Sequence, residues 1–381
     1  MDTPAISVVM SVYNGEVYLA EAVESILAQT FRDFEFIIID DGSKDRTGLM
    51  LAEYARRDER VRVVAQENRG RAESLNRGIE MARAELIARM DADDVALPER
   101  LAQQWEFLQA HPEVGLLGTA VENIGPGGEK LGTYVPVTED GDLRQIMLQW
   151  CPFRHPTILM RKEIALKAGG YRKALRDADD YDLWLRMAER ARMANLPEPL
   201  LCYRFHPDQA SMSNMVHQML CCRTAIVMAF MRRQGLPDPL TNINEITPEF
   251  AQQIGVSDED IQHDVAAAHY IWIGMLARLR PAEALRLVSN LVRMRGKAGV
   301  EKRVVADALF VAARIRFKQR RIAAALSAAA RGLVMHPAAA SRVARMAFSR
   351  RMRDLNRRVL RLVAWRQKNE FGSNENWHAG S

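Results

Sequence analysis

The first ninety residues alternate short apolar runs with segments of helical periodicity. The runs are rich in β-branched residues and lie at 6–12 (ISVVMSV), 34–43 (FEFIIIDDGS), 60–66 (RVRVVAQ) and 86–90 (LIARM). Between them, apolar side chains recur three or four positions apart, as they do on one face of a helix. Strands that alternate with helices form βαβ units. The sequence therefore predicts an α/β fold with a mostly parallel sheet and helices on both faces.

Carboxylates follow two of these predicted strands. Asp41 lies at the end of the second run, and Asp91, Asp93 and Asp94 come directly after the fourth. Ligands of parallel sheets bind beyond the carboxyl ends of the strands, so we expect these side chains to line one edge. The Asp-x-Asp spacing alone is weak evidence. Four further copies of it occur in the chain, at 140/142, 177/179, 180/182 and 258/260.

The sequence lacks the glycine-rich loops that commonly bind phosphate. A dinucleotide-binding fold needs G-x-G-x-x-G at its first strand–helix turn, and this chain has SVYNGEVYL there. A Walker A sequence is also missing. A phosphorylated ligand would then be held in another way, and a divalent metal on carboxylates is the obvious one.

Composition favours a soluble, cytoplasmic protein. The 381 residues are 48% hydrophobic and 27% charged, and this length allows two domains. The longest nearly uncharged stretch, around 265–277, is shorter than the roughly 20 residues that cross a bilayer. The segment MDTPAISVVM has no basic region before its apolar run, and we interpret it as a first strand. The cysteines have no C-x-x-C spacing and predict neither a disulfide framework nor a zinc site.

Positive charge is concentrated near the C-terminus. Residues 291–368 contain 21 Lys and Arg against 3 Asp and Glu, a net charge of +18, whereas the whole chain has +5. Three interpretations are open: a surface for anionic lipids on the inner face of the cytoplasmic membrane, a nucleic-acid surface, or merely exposed arginines of a helical bundle. Without a recognised motif or interleaved aromatic residues, nucleic acid is the weakest of the three.

The rest of the chain divides by composition. Residues 111–178 are rich in Gly and Pro, typical of looser strands and loops that could shape an acceptor site. From about 215 onward the pattern is helical, and the segments 278–293 and 319–337 resemble two copies of one unit, which favours tetratricopeptide-like hairpins. We therefore predict a first domain at 1–215, a basic all-α domain at 216–368 and a disordered tail at 369–381.

Five ordered motifs carry a family resemblance. They are ISVVMSVYNGEVYLAEAVESILAQTFRDFEFIIIDDGSKDRT, NRGRAESLNRGIEMARAELIARMDADD, GGY, DADDYDLWLR and YRFHPDQAS, between residues 4 and 213. This segment resembles the family 2 glycosyltransferases, which have the GT-A fold. The resemblance implies inverting transfer of a sugar from a nucleotide diphosphate donor to a saccharide or lipid-linked acceptor, in bacterial cell-surface polysaccharide synthesis.

The resemblance also implies donor-binding residues. Ser11 and Tyr13 match the position that packs against the nucleotide base. Asp41 matches the carboxylate that accepts the imide N–H of uracil, which favours a UDP-sugar, or a dTDP-sugar with the same edge.

Metal and base residues follow from the same comparison of motifs. Asp93 matches the ligand of a Mn²⁺ or Mg²⁺ that bridges the donor diphosphate, and Asp91 matches a contact to the ribose or the metal. His206 matches a position that can add a protein ligand to the metal. Asp180 matches the general base. The family's usual Glu-Asp pair is Asp179-Asp180 here, which leaves the base position in place with a shorter neighbour.

Other interpretations of these residues stay open. Asp179 or Asp180 could simply cap the helix that follows, and His206 could be an ordinary hydrogen-bonded histidine. The chain could also be a non-catalytic nucleotide-sugar-binding module that scaffolds partners or a membrane. A nucleotidyltransferase would use carboxylates and a metal too, but it would be expected to have a basic glycine-rich loop near the N-terminus.

Overall fold

The structure is a computed structural model that describes residues 3–206, 209, 214–240 and 243–337. The chain forms two compact units, of which the first ends at Val256 and the second begins at Ser257. The helix that starts at Met215 therefore belongs to the first unit, beyond the predicted domain end at 215. The predicted tail at 369–381 lies outside the described residues.

All four predicted N-terminal runs are strands. They pair in parallel in the order β3-β2-β1-β4, with β1 at Ile6–Val12, β2 at Phe34–Asp40, β3 at Val61–Ala65 and β4 at Leu86–Met90. Three helices connect them, α1 at Leu19–Leu27, α2 at Thr47–Arg57 and α3 at Arg71–Met81. This half of the sheet is the parallel βαβ array that the sequence predicts.

The second half of the sheet is mixed. Beyond β4 the strand order is β8-β6-β9-β5, and β7 pairs with β6. Strand β8 is antiparallel to both of its neighbours, whereas β6 and β9 are parallel. The elements are β5 (Val95–Ala96), α4 (Arg100–Ala110), β6 (Val114–Ile124), β7 (Lys130–Tyr134), α5 (Asp140–Ile146), β8 (Leu159–Arg161), α6 (Lys162–Lys167), α7 (Asp179–Ala188) and β9 (Arg192–Arg204). The first unit is thus an α/β domain.

The core of the first unit explains why its strands read as continuous apolar runs. All seven residues of β2 are buried, from Phe34 to Asp40, because a parallel sheet is covered on both faces. Helix α1 contributes Leu19, Val23 and Ile26 to this core. A two-sided burial of this kind requires apolar side chains at consecutive positions rather than at every second one.

The remaining helices are α8 (Met215–Arg233) and α9 (Pro248–Gln253) of the first unit, and α10 (Asp258–Leu279), α11 (Pro281–Arg293), α12 (Lys302–Lys318) and α13 (Ile322–Met335) of the second. In the second unit α10 packs on α11, and α12 on α13, as two helical hairpins. Their assignment to the tetratricopeptide class stays a prediction. None of the described helices has the length and apolar character needed to span a bilayer.

Candidate active site

The residues that are predicted to bind the nucleotide base lie at or just after the carboxyl ends of β1 and β2, at one edge of the sheet. Ser11 is half-buried near the end of β1, and Tyr13 follows the strand with 48% of its surface exposed. Asp41 follows β2, and its backbone N–H donates to Val12 O at 2.9 Å. The two strands are parallel neighbours in the sheet, so these side chains share the carboxyl edge.

Hydrogen bonds between two loops hold the segment after Tyr13 in place. Asn14, in the left-handed region at φ 51°, donates its backbone N–H to Ser43 Oγ at 2.9 Å. The backbone N–H of Gly15 donates to Thr47 Oγ1 at 2.9 Å. The loop after β1 is therefore fixed to the segment that leads into α2. The exposed Tyr13 ring lies at the start of the loop after β1.

The Asp41 carboxylate orders the loop before α3. It is only 3% exposed, and its Oδ1 accepts from Gln66 Nε2 and from Arg69 N, both at 2.8 Å. Its Oδ2 accepts from Gly70 N at 2.9 Å. A carboxylate has about four acceptor sites, so Oδ2 retains one for a further N–H. The uracil contact of Asp41 stays a prediction.

The carboxylates after β4 converge on one point. One oxygen of each lies within 4.8 Å of the others, and the set is Asp91, Asp93 and Asp94. His206 Nε2 lies 2.9 Å from Asp93 Oδ2, which joins the end of β9 to this cluster. Arg89 Nη2 donates to Asp91 Oδ1 at 2.5 Å. The structure therefore brings together all three residues that the resemblance implies for the metal.

Asp94 is a member of the cluster for which the motifs imply no role. It is fully buried, and its Oδ1 accepts from Arg204 N at 2.7 Å. Its Oδ2 is buried without a hydrogen-bond partner among the described residues. Burial, together with the charges of Asp93 and Asp91, raises the pKa of Asp94 well above its ordinary value. Buried carboxylates in need of a partner fit a divalent cation such as Mg²⁺ or Mn²⁺.

Two buried cations lie beneath the cluster. Arg89 donates from Nε to His155 Nε2 at 3.2 Å, and Arg100 donates from Nη2 to Arg89 O at 2.7 Å. Burial lowers the pKa of Arg100 to about 9. Burial and the Arg89 charge also hold the pKa of His155 well below its ordinary value, so His155 is a neutral acceptor. These arginines partly balance the negative charge of the three carboxylates.

Asp180, the predicted general base, lies in the first turn of α7. That helix begins at Asp179, and its N-cap is Ala178, with no side-chain cap. Asp180 is partly exposed, and its Oδ1 accepts from Tyr181 N at 2.8 Å. Burial and the neighbouring Asp179 raise the pKa of Asp180 to about 6. The capping interpretation is therefore wrong, although a carboxylate in the first turn also interacts favourably with the helix dipole.

Arg71 interacts both with the aspartates at the start of α7 and with the carboxylates after β4, and sequence reasoning missed it. Its guanidinium forms an ion pair with the fully buried Asp179, with Nε 3.2 Å from Asp179 Oδ2, and its Nη2 donates to Arg176 O at 3.1 Å. The same guanidinium interacts electrostatically with Asp180 and Asp91. Arg71 is the first residue of α3, an end of the helix where a cation is unfavourable, but its motif contains no signal for the ion pair with Asp179.

The GGY motif at 169–171 connects α3 to the segment that precedes Asp180 through hydrogen bonds. Asn76 on α3 donates from Nδ2 to Tyr171 O and accepts at Oδ1 from Tyr171 N, both at 2.8 Å. Gly169 and Gly170 have φ of 87° and 64°, which favour glycine. A Cβ on Gly170 would also lie 2.6 Å from Asn76 Oδ1. The motif is thus explained by backbone conformation and close packing.

The chain is similar in sequence to known glycosyltransferases. The family model described as "Glycosyl transferase family 2" matches residues 7–170. The putative glycosyltransferase EpsE of Bacillus subtilis (strain 168) is 35% identical over 242 residues, which are 61% of this chain and 84% of that protein. The O-antigen biosynthesis glycosyltransferase WbnJ of Escherichia coli is 31% identical over 240 residues, which are 62% of this chain and 92% of that protein.

Two further proteins are similar. The amylovoran biosynthesis glycosyltransferase AmsE of Erwinia amylovora is 33% identical over 209 residues, covering 54% of this chain and 78% of that one. Among solved structures, S. aureus TarS 1–349 is 18% identical with a TM-score of 0.48, covering 85% of this chain and 90% of that one. On the sequence matches, the chain belongs to glycosyltransferase family 2, with relatives in bacterial polysaccharide biosynthesis.

Proposed function

We propose that the protein is an inverting, metal-dependent glycosyltransferase that uses a nucleotide diphosphate sugar, with UDP as the favoured nucleotide. The acceptor would be a saccharide or a lipid-linked saccharide of a cell-surface polysaccharide. One observation carries the proposal: Arg71, which pairs with Asp179 beside Asp180, also interacts electrostatically with Asp91, so two acidic groups of different chemistry lie at one site. One group, Asp91, Asp93 and Asp94, fits a metal, and the other presents the single carboxylate of Asp180 with a raised pKa.

Asp180 has the properties of the base. An acceptor hydroxyl must lose a proton as it attacks the anomeric carbon, and a carboxylate within hydrogen-bond reach can accept that proton. Asp179 is fully buried in its ion pair with Arg71, which leaves Asp180 to do this. Direct attack with one base inverts the anomeric centre, whereas double displacement needs a second carboxylate as nucleophile.

The other acidic group, which consists of Asp91, Asp93 and Asp94, would bind the donor and its metal. A bound Mn²⁺ or Mg²⁺ would supply Lewis-acid stabilisation of the charge that develops on the leaving diphosphate. Asp93 and His206 would hold it, since their side chains are already in contact, and Asp94 offers its unpartnered Oδ2. Arg89 orients Asp91 through its 2.5 Å contact, which suits Asp91 for a ribose or metal contact.

The nucleotide base would bind at the neighbouring part of the edge. Tyr13 offers an exposed ring for stacking, and its loop is fixed by the contacts to the loop before α2. The acceptor site left on Asp41 Oδ2 would take the imide N–H of uracil or thymine. These features support a UDP-sugar, or a dTDP-sugar, as donor.

A membrane partner is part of the proposal. Two relatives are named for O-antigen biosynthesis and amylovoran biosynthesis, and a lipid-linked acceptor would place this enzyme at the inner face of the cytoplasmic membrane. The basic segment 291–368, with a net charge of +18, supports peripheral attachment to anionic lipids.

A thermal-shift screen tests the proposal. The full chain is heated with UDP-, dTDP- and GDP-sugars, each with and without Mn²⁺. We expect stabilisation by a UDP-sugar only with metal, of about 2.7 kcal/mol at a hundredfold excess over Kd. Asp93→Ala should remove this stabilisation, and the exposed control Glu163→Ala should keep it.

Three outcomes would count against the proposal. Stabilisation by none of the three nucleotides, or full stabilisation of Asp93→Ala, would contradict the donor site. Metal-dependent binding without any slow hydrolysis of the donor to UDP would indicate the non-catalytic module instead.

A further inference from the structure

The second unit presents an unusual group of exposed apolar side chains. Phe317 near the end of α12 is 64% exposed, and on α13 Leu326 is 66% and Val334 82% exposed. Ile322 and Leu333 are also exposed. Exposed apolar side chains that are close together mark an interaction site more often than scattered ones do. We call this group, together with the cations described next, the hairpin surface.

The same hairpin is purely basic from residue 308 onward. Residues 308–337 contain six Lys and Arg and no Asp or Glu, the six being Arg314, Arg316, Lys318, Arg320, Arg321 and Arg331. All of them except Arg316 are exposed. Phe317 and Ile322 bracket the turn that carries three of the cations, so the basic side chains of that turn lie between two exposed apolar ones.

The exposed apolar side chains are not the packing face of α13. That face consists of Ala325, Ala328 and Gly332, which are buried. It lies so close to α12 that a Cβ on Gly332 would be 2.9 Å from Phe310 Cε1. At 3.6 residues per turn, a separate third of the circumference carries Ile322, Leu326, Leu333 and Val334. The helix therefore has one apolar face for its neighbour and a second, exposed one.

We propose that the hairpin surface docks on an anionic lipid bilayer, inserting its apolar side chains while its cations contact the headgroups. This inference rests on the membrane partner of the proposed function and assigns the contact to named residues. Interfacial helices combine an exposed apolar face with Lys and Arg in this way. A second copy of the chain fits less well, because a two-fold contact would oppose six cations with six. Nucleic acid would leave the apolar face without a partner.

Vesicle binding tests the inference. The full chain is mixed with phosphatidylcholine vesicles that contain phosphatidylglycerol, and the bound fraction is measured by flotation. The charge variant Lys318→Glu/Arg320→Glu/Arg321→Glu should bind at least ~10-fold more weakly. The apolar variant Phe317→Gln/Leu326→Gln/Val334→Gln should bind more weakly, and its remaining binding should be lost at high salt.

Matched controls lie on the first unit. Arg56→Glu/Lys130→Glu/Lys167→Glu changes the net charge equally at exposed positions, and Leu49→Gln/Val135→Gln/Leu236→Gln changes three exposed apolar residues. Both controls should bind vesicles as the wild type does. Asp180→Asn should also bind normally, so a failure of sugar transfer leaves this test intact.

Three results would overturn the inference. The first is a wild type that does not bind the vesicles, and the second is hairpin variants that bind as tightly as the wild type, as they would if another segment made the contact. The third is a wild type that self-associates without vesicles in a way that the apolar variant abolishes.

Discussion

At the residue scale, the pKa of Asp180 results from neighbouring groups that act on it in opposite directions. Burial and the charge of Asp179 raise its pKa, while Arg71 and the Tyr181 N–H lower it, and the result is about 6. A base is most effective when its pKa is near the working pH. Asp180 is then largely ionised at neutral pH and still a competent proton acceptor.

This pKa predicts an acidic limb in the rate profile. Below about 6 the carboxyl of Asp180 is protonated and cannot accept the hydroxyl proton. We expect kcat/KM to fall about tenfold per pH unit below that value and to level off above it. The profile is measured from pH 4.5 to 8.5 at saturating Mn²⁺, with a thermal shift at each pH to show that the donor still binds. A flat profile would contradict the assignment.

Two neighbouring substitutions should move this limb in opposite directions. Arg71→Gln removes a positive charge that lowers the pKa of Asp180, so the limb should shift to higher pH. Asp179→Asn removes a negative charge that raises it, so the limb should shift to lower pH. Shifts in the same direction would show a general disturbance of the site instead of two specific charges.

The sequence revealed only part of this arrangement. The motifs implied roles for Asp91, Asp93, Asp180 and His206 because these positions match a family pattern. Arg71 had no such signal in its motif, since its importance comes from an ion pair 108 residues away in the chain. The burial of Asp94 likewise depends on the backbone of β9, which no local pattern reveals.

At the scale of elements, the strands were predicted well where a continuous apolar run in the sequence marks a buried strand. The four N-terminal strands agree with the apolar runs to within a few residues, because a continuous β-branched run fits a strand covered on both faces. Strand β8 was not predicted. It has three residues and pairs with β4 about 75 positions away, Leu86 opposite Arg161. Such a pairing depends on tertiary contacts and leaves no periodicity in the sequence.

Helix α7 depends on a buried ion-pair network centred on Asp182, two residues after Asp180. Asp182 is fully buried and accepts from Arg172 Nε at 2.8 Å and from Arg186 Nη2 at 2.6 Å. Burial acts to raise the pKa of Asp182, but Arg186 and Arg172 outweigh it and hold the pKa below the ordinary value. The network therefore stabilises the fold at neutral pH, and this contribution is lost as pH falls below about 4 through the lowered pKa.

Asp182→Asn should destabilise the protein strongly, since it leaves two arginines without their buried partner. We expect the free energy of unfolding to fall by about 3 kcal/mol at pH 7, measured by urea denaturation. The difference from the wild type should shrink as pH falls below about 4, toward the lowered pKa at which the wild-type carboxyl becomes protonated. Glu163→Gln breaks another i,i+4 pair, with Lys167, but at the surface, and should leave stability unchanged. Equal effects of both substitutions would refute the role of burial.

At the scale of the whole molecule, chemistry and attachment are assigned to different units. All residues of the candidate active site belong to the unit that ends at Val256, and the hairpin surface belongs to the unit that begins at Ser257. The family model covers only residues 7–170. The resemblance in sequence therefore explains the first unit, whereas the function of the second rests on its own charge and exposure.

The central claim is that one base, Asp180, carries out inverting transfer at a metal-dependent site. The most direct test is Mn²⁺-dependent hydrolysis of an α-linked UDP-sugar, with NMR detection of the first anomer released. We predict the β-anomer from the wild type. We also predict a loss of rate of about 10²–10⁴ in Asp180→Asn, with unchanged stabilisation by UDP and Mn²⁺. Release of the α-anomer, or a full rate in Asp180→Asn, would contradict the account.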